Sequence, residues 1–166
     1  MLLSIALLML GIIHHARWTH ADVGITKDFM KDILPYTLFT AAGVAFVLWL
    51  AQIVPHTPLI EWWEDVKFLL LFIPISVLQE VIFRGVLMNL LKRAFTSPIF
   101  IIVLNACVFA LMHVIYLNSS FVLPFTFIAG VGFAWMYYKY PNLILISISH
   151  TILNFVAMIF GFFVIR

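Results

Sequence analysis

Phe68 to Leu91 reads FLLLFIPISVLQEVIFRGVLMNLL, and this stretch decides what kind of molecule the chain is. A helix needs roughly 20 apolar residues, at ~1.5 Å each, to cross ~30 Å of hydrocarbon. The stretch is long enough and apolar enough, yet it carries Glu80 and Arg84 within it. A charge at such depth costs about 2.5–3.5 kcal/mol even on the lenient insertion scale, so it marks a functional position by default. The two are four residues apart, share one helix face and can pair, which lowers the burial cost of both.

Working outward, Tyr36 to Val54, Pro98 to Leu117, Phe121 to Tyr138 and Leu143 to Ile165 are further spans by the same criterion. Met1 to Ile13 is apolar but short; it lacks the basic start and small-residue cleavage site of a signal peptide and is not expected to be removed. Among 166 residues, 65% are apolar, 17 are Phe, and nine basic plus seven acidic side chains make only 10% charged. Soluble domains carry about 25% charged residues and need them as surface. A soluble enzyme, a nucleic-acid binder and a disordered chain are therefore excluded. One cysteine, Cys107, excludes a disulfide-built secreted domain. Period-two strands are absent, which argues against a β-barrel.

The predicted fold class is all-α: a polytopic transmembrane helical bundle of five to six spans. It forms a single domain over 1–166, with a core at about 66–165 that bears the polar residues. Arg17 to Leu34 mixes Arg17, Lys27 and Lys31 with Asp22, Asp28 and Asp32, and spaces Phe29, Met30 and Ile33 as a helix would. It reads as an amphipathic helix lying at the membrane interface. Trp62 and Trp63, in the loop Pro55 to Lys67, suit an aromatic belt. With six spans, Arg17, Lys27, Lys31, Lys92, Arg93 and Lys139 share one side and Lys67 and Arg166 the other, which makes the first side cytoplasmic.

Beyond Glu80 and Arg84, the spans hold His113, His150, Gln79, Asn105 and Asn154 as their notable polar groups. Phe109 and His113 are four residues apart, as are His150 and Asn154, so each pair shares a helix face. Counted from the presumed cytoplasmic ends at ~1.5 Å per residue, His150 lies ~10 Å deep, Glu80 ~17 Å and His113 ~22 Å. A carboxylate and an imidazole can activate water, while a second imidazole and a carboxamide can donate to an oxyanion. Each feature alone also reads as packing: a buried ion pair, a histidine that staples helices, a small buried cysteine.

Three motifs in order carry a resemblance. Gln79-Glu80-Val81-Ile82-Phe83-Arg84-Gly85 resembles EExxFRG, Phe109 to His113 matches FxxxH, and His150 to Asn154 matches HxxxN. On these the chain is similar to the CPBP family of CAAX proteases and bacteriocin-processing enzymes, also called Abi, over about its last hundred residues. The resemblance implies an intramembrane endopeptidase acting on a membrane-associated protein or peptide, of CAAX, pheromone or bacteriocin type. It makes His113 the water-activating partner, His150 and Asn154 the oxyanion donors, and Arg84 the partner of Glu80; Phe83 and Phe109 shape the site. No cofactor is expected, with zinc on the two histidines and Glu80 as the alternative, because an Asn partner suits hydrogen bonding better. The short loops are those of a prokaryotic cell-membrane member, multi-pass in lipid.

The family's first glutamate falls on Gln79, and a carboxamide cannot take a proton near neutral pH. Three readings follow. Glu80 takes over as base; the chain is a non-proteolytic relative acting in immunity or signalling by binding a partner; or the glutamine disables cleavage by design.

Overall fold

The computed structural model describes every residue of the chain except 1, 27, 60, 65, 117 and 164–166. Lys27 and Arg166 of the charge balance, and Leu117 and Ile165 at the ends of expected spans, lie outside the described residues. Among the described residues, six helices follow in order: α1 (Leu2–His15), α2 (Ile33–Ile53), α3 (66–94), α4 (Pro98–Leu111), α5 (Ser119–Lys139) and α6 (Leu143–Ile159). No strand occurs among the described residues. Met30–Ile53, Leu70–Ala94 and Ser119–Lys139 are long and apolar enough to cross a membrane, while α1, α4 and α6 are shorter apolar helices. Large apolar side chains such as Leu38, Leu70, Ile99 and Ile128 face outward, as suits a molecule whose solvent is hydrocarbon.

Two expected spans end early, each for a local reason. After Leu111, His113 N–H bonds to Ala110 O and Tyr116 N–H to His113 O; these i→i+3 links turn the chain and leave His113 at the foot of α4. After Ile159, Phe162 N–H bonds to Ala157 O and Gly161 N–H to Met158 O, the paired closure that ends helices at a left-handed residue. Gly161 supplies that residue with φ +72°.

The amphipathic helix expected over Arg17 to Leu34 does not form as one helix. Turns run to Gly24, and only Phe29–Asp32 makes a short 3₁₀ turn before α2. Left-handed backbone at Arg17 (φ 53°) and Gly24 (φ 76°) interrupts any helix there. The polar groups find partners within the turns and across the fold instead. Thr19 N–H and O–H both donate to Asp22 Oδ2 at 2.7 Å, Asn89 donates to Asp22 O, and Leu143 N–H donates to Gly24 O at 2.8 Å. The segment thus folds over one end of the bundle rather than lying beside it.

Helix α3 is α-helical over Val66–Glu80, π-helical over Val81–Leu87 and α-helical again over Met88–Ala94. Such i→i+5 stretches are rare and favour functional sites; here the stretch begins directly after Glu80. Helix α4 lies along α5, and α6 packs against both α2 and α3. Gly130 permits the α4–α5 approach, since a Cβ there would sit 3.3 Å from the Ala106 backbone. The turn between α5 and α6 is drawn into the protein. Asn142 is fully buried, its side chain caps α6 by accepting from Leu145 N–H at 3.2 Å, and the Tyr36 hydroxyl donates to Tyr140 O at 2.7 Å.

Candidate active site

Glu80, on the last turn of α3 before the π-helical stretch, is fully buried. Its Oε1 lies 3.2 Å from Arg84 Nη1 and 2.6 Å from His150 Nδ1. The i,i+4 spacing and the π-helical turn bring Arg84, also fully buried, back over Glu80. Arg84 Nη2 further donates to Gly130 O at 3.3 Å, a carbonyl reached because α5 has no side chain at that point. Its guanidinium lies 4.5 Å from the Phe109 ring centroid and 5.4 Å from that of Phe133. A cation between aromatic faces is stabilised by their quadrupoles where water cannot reach it.

Because α6 starts inside the protein, the ~7 Å difference in depth counted along the sequence disappears, and Glu80 and His150 are in hydrogen-bonding contact. The carboxylate only accepts, so His150 Nδ1 carries the hydrogen that joins the two. The His150 ring packs 4.9 Å from Phe133 and 5.6 Å from Phe109, centroid to centroid.

His113 stands on the turn after α4, 6% exposed. Its Nδ1 donates to Phe109 O at 2.9 Å. A carbonyl oxygen has no hydrogen to give, so in the neutral ring Nε2 keeps its lone pair. His113 stacks on Tyr116 at 5.8 Å and faces Phe163 at 6.2 Å.

His113, His150 and Asn154 line one cavity of about 250 Å³ between α2 and α5, with Thr126 the other polar group on its wall. The rest is apolar, from Phe39, Phe46, Phe109, Phe125, Phe133 and Phe163 among others. Such a space is shaped for an apolar guest. Glu80 does not line it but sits behind His150. Gln79 is half-buried and does not line it either. Phe83 packs edge-on to Phe109 at 5.2 Å, beneath the site.

Among the described residues, no three His, Cys, Asp or Glu are grouped to hold a metal ion.

Two contributors carried little signal in the sequence. Ser76 accepts from Asn154 Nδ2 at 3.0 Å; its one clue was lying a helical turn before Glu80. Gly130 supplies a backbone carbonyl, for which a lone glycine in an apolar run is no guide. Asn105, noted only as uncharged polarity, donates to Phe83 O at 2.8 Å and braces the π-helical stretch.

A protein-family model described as Type II CAAX prenyl endopeptidase Rce1-like matches residues 61–156, more than half of the chain. The matched range holds the polar residues of α3, His113, His150 and Asn154. No curated protein and no solved structure matches the chain.

Proposed function

The chain belongs to the Rce1-like family of type II CAAX prenyl endopeptidases, membrane-embedded proteases of membrane-associated substrates, and from that premise we propose that it hydrolyses peptide bonds within the membrane by a metal-free route centred on His113. The observation that carries the reading is the meeting of His113, His150 and Asn154 on one apolar cavity with Glu80 buried behind His150.

In this mechanism the free Nε2 of His113 takes a proton from a water molecule as its oxygen attacks the scissile carbonyl carbon. The carbonyl π electrons move onto oxygen, which accepts hydrogen bonds from His150 Nε2–H and the Asn154 carboxamide. Glu80 accepts from His150 Nδ1–H and fixes the orientation of the ring. Collapse of the tetrahedral adduct breaks the C–N bond, and His113 returns its proton to the leaving amine. Glu80 takes no direct part in this route, since it is fully buried and lies off the cavity, behind His150. The walls suit a substrate with an apolar or lipidated segment beside the scissile bond, such as a prenylated C-terminus or a pheromone or bacteriocin precursor. The short loops support residence in a prokaryotic membrane.

Gln79 favours one second reading, a non-proteolytic member that binds a partner in immunity or signalling. Profiling of new peptide termini in membranes containing the chain or His113→Ala separates the two. Termini that appear with the parent chain and vanish with His113→Ala establish proteolysis. A prenylated peptide bound equally by both proteins, with no new terminus from either, establishes the binding reading instead.

A further inference from the structure

Asn154 is held by a residue outside all three motifs. Ser76, one turn before Glu80 on α3, is fully buried. Its hydroxyl has one hydrogen, and that hydrogen is committed to Phe72 O at 2.8 Å, a carbonyl that can only accept. The Ser76 oxygen is therefore left as an acceptor, and the atom 3.0 Å away must be the nitrogen of the Asn154 carboxamide. The flip of that amide follows from the Ser76–Phe72 hydrogen bond. Asn154 Nδ2 has two hydrogens; Ser76 engages one and leaves the other free beside the cavity that Asn154 lines.

We propose that Ser76 is a positioning residue: it locks the Asn154 carboxamide with its NH₂ group available as an oxyanion donor and its carbonyl oxygen turned away. This rests on the proteolytic reading for its consequence in catalysis, though not for the geometry. Without the Ser76 acceptor the amide is free to turn over and present Oδ1, whose partial negative charge would repel the developing oxyanion. A hydrogen bond between membrane helices is a weak staple, so a merely structural Ser76 would move thermal stability slightly and leave the rate law alone.

The test combines kinetics and spectroscopy on the full chain in detergent micelles. Against a farnesylated CAAX peptide, Ser76→Ala is expected to lower kcat by about 10- to 100-fold at little-changed KM, short of the roughly 10²–10³ lost with an oxyanion donor outright. Ser76→Thr, which keeps the hydroxyl and its bond to the preceding turn, restores most of the rate. On an Asn154→Ala background, Ser76→Ala changes kcat no further. If the parent cleaves the peptide while Ser76→Ala keeps full kcat, or the two substitutions add independently, the proposal fails and the protease reading stands.

If the parent cleaves nothing, the protease reading fails, and the side-chain amide resonances of ¹⁵N-asparagine-labelled protein, assigned by their loss in Asn154→Ala, decide the positioning role. One Asn154 amide proton exchanging slowly in the parent and as fast as its twin in Ser76→Ala supports it. Identical Asn154 resonances in the two proteins overturn it.

Discussion

His150 Nδ1 stands 2.6 Å from Glu80 Oε1, across 70 residues of chain, with both groups buried. That single contact sorts two similar-looking polar groups into different roles. Glu80 lies behind and orients the ring; His150 lines the cavity.

Glu80→Gln keeps a hydrogen-bond acceptor but removes the charge opposite buried Arg84. Leaving an uncompensated buried charge costs about 3–5 kcal/mol, so thermal unfolding in detergent shifts down sharply and kcat falls. Adding Arg84→Met recovers stability and leaves kcat low. Full activity in the double variant would remove the carboxylate from the mechanism.

His113→Ala removes the base and is expected to lower kcat by about 10²–10⁴. Its unfolding midpoint should fall modestly, because the ring's packing on Tyr116 and Phe163 is lost with its hydrogen bond to Phe109 O. Retained cleavage in a folded His113→Ala protein would place the base elsewhere.

Gln79→Glu restores the family's first carboxylate, but at a half-buried position off the cavity. No gain in kcat is expected, and the cleaved termini should be those of the parent. A large gain would move water activation onto residue 79 and require this turn of α3 to rotate.

Gly161→Ala tests the closure of α6. The residue has φ +72°, and an added Cβ would fall 1.8 Å from Thr57 O. The left-handed backbone alone costs roughly 1–2 kcal/mol for a residue with a Cβ, and the clash adds to it. Unfolding measurements should show at least that loss, and Phe163, which lines the cavity from just beyond this turn, should lose its place beside His113.

The loop over the bundle end gives a pH prediction. Asp22 titrates below 3.8 because the Thr19 hydroxyl and N–H donate to its carboxylate, with Arg93 adding a weaker attraction. A lowered carboxylate pKa contributes stability that is fully present above the unfolded value and is lost as pH falls through the folded one. Thr19→Val should therefore narrow its stability gap from the parent as pH drops below about 4. A gap that stays constant to pH 3 would show that the loop holds without the charged form.

Much of the site was legible before the fold was known, because ionisable groups stand out in apolar runs. Glu80, Arg84, His113 and His150 could be named from composition and spacing, and Asn154 from its place one turn after His150. Ser76, Gly130 and Phe133 could not, since serine, glycine and phenylalanine are ordinary in membrane helices. The segment from Arg17 to Leu34 was misread for a related reason. Its mixed charges and the helical spacing of Phe29, Met30 and Ile33 predicted an interfacial helix, but the Asp22 and Gly24 carbonyls accept from Asn89 and Leu143, which lie far away in sequence.

By itself, then, the amino-acid order determined a helical membrane protein and the side chains able to do chemistry. Burial of a charge is expensive enough to be visible in one dimension. Which carboxylate and which imidazole touch was decided only in three dimensions. It depends on where α6 begins, and that start is set by the buried Asn142 turn and the loop folded over it. A shift of one helical turn, ~5.4 Å, would separate Glu80 from His150, and no count along the chain registers a difference that small.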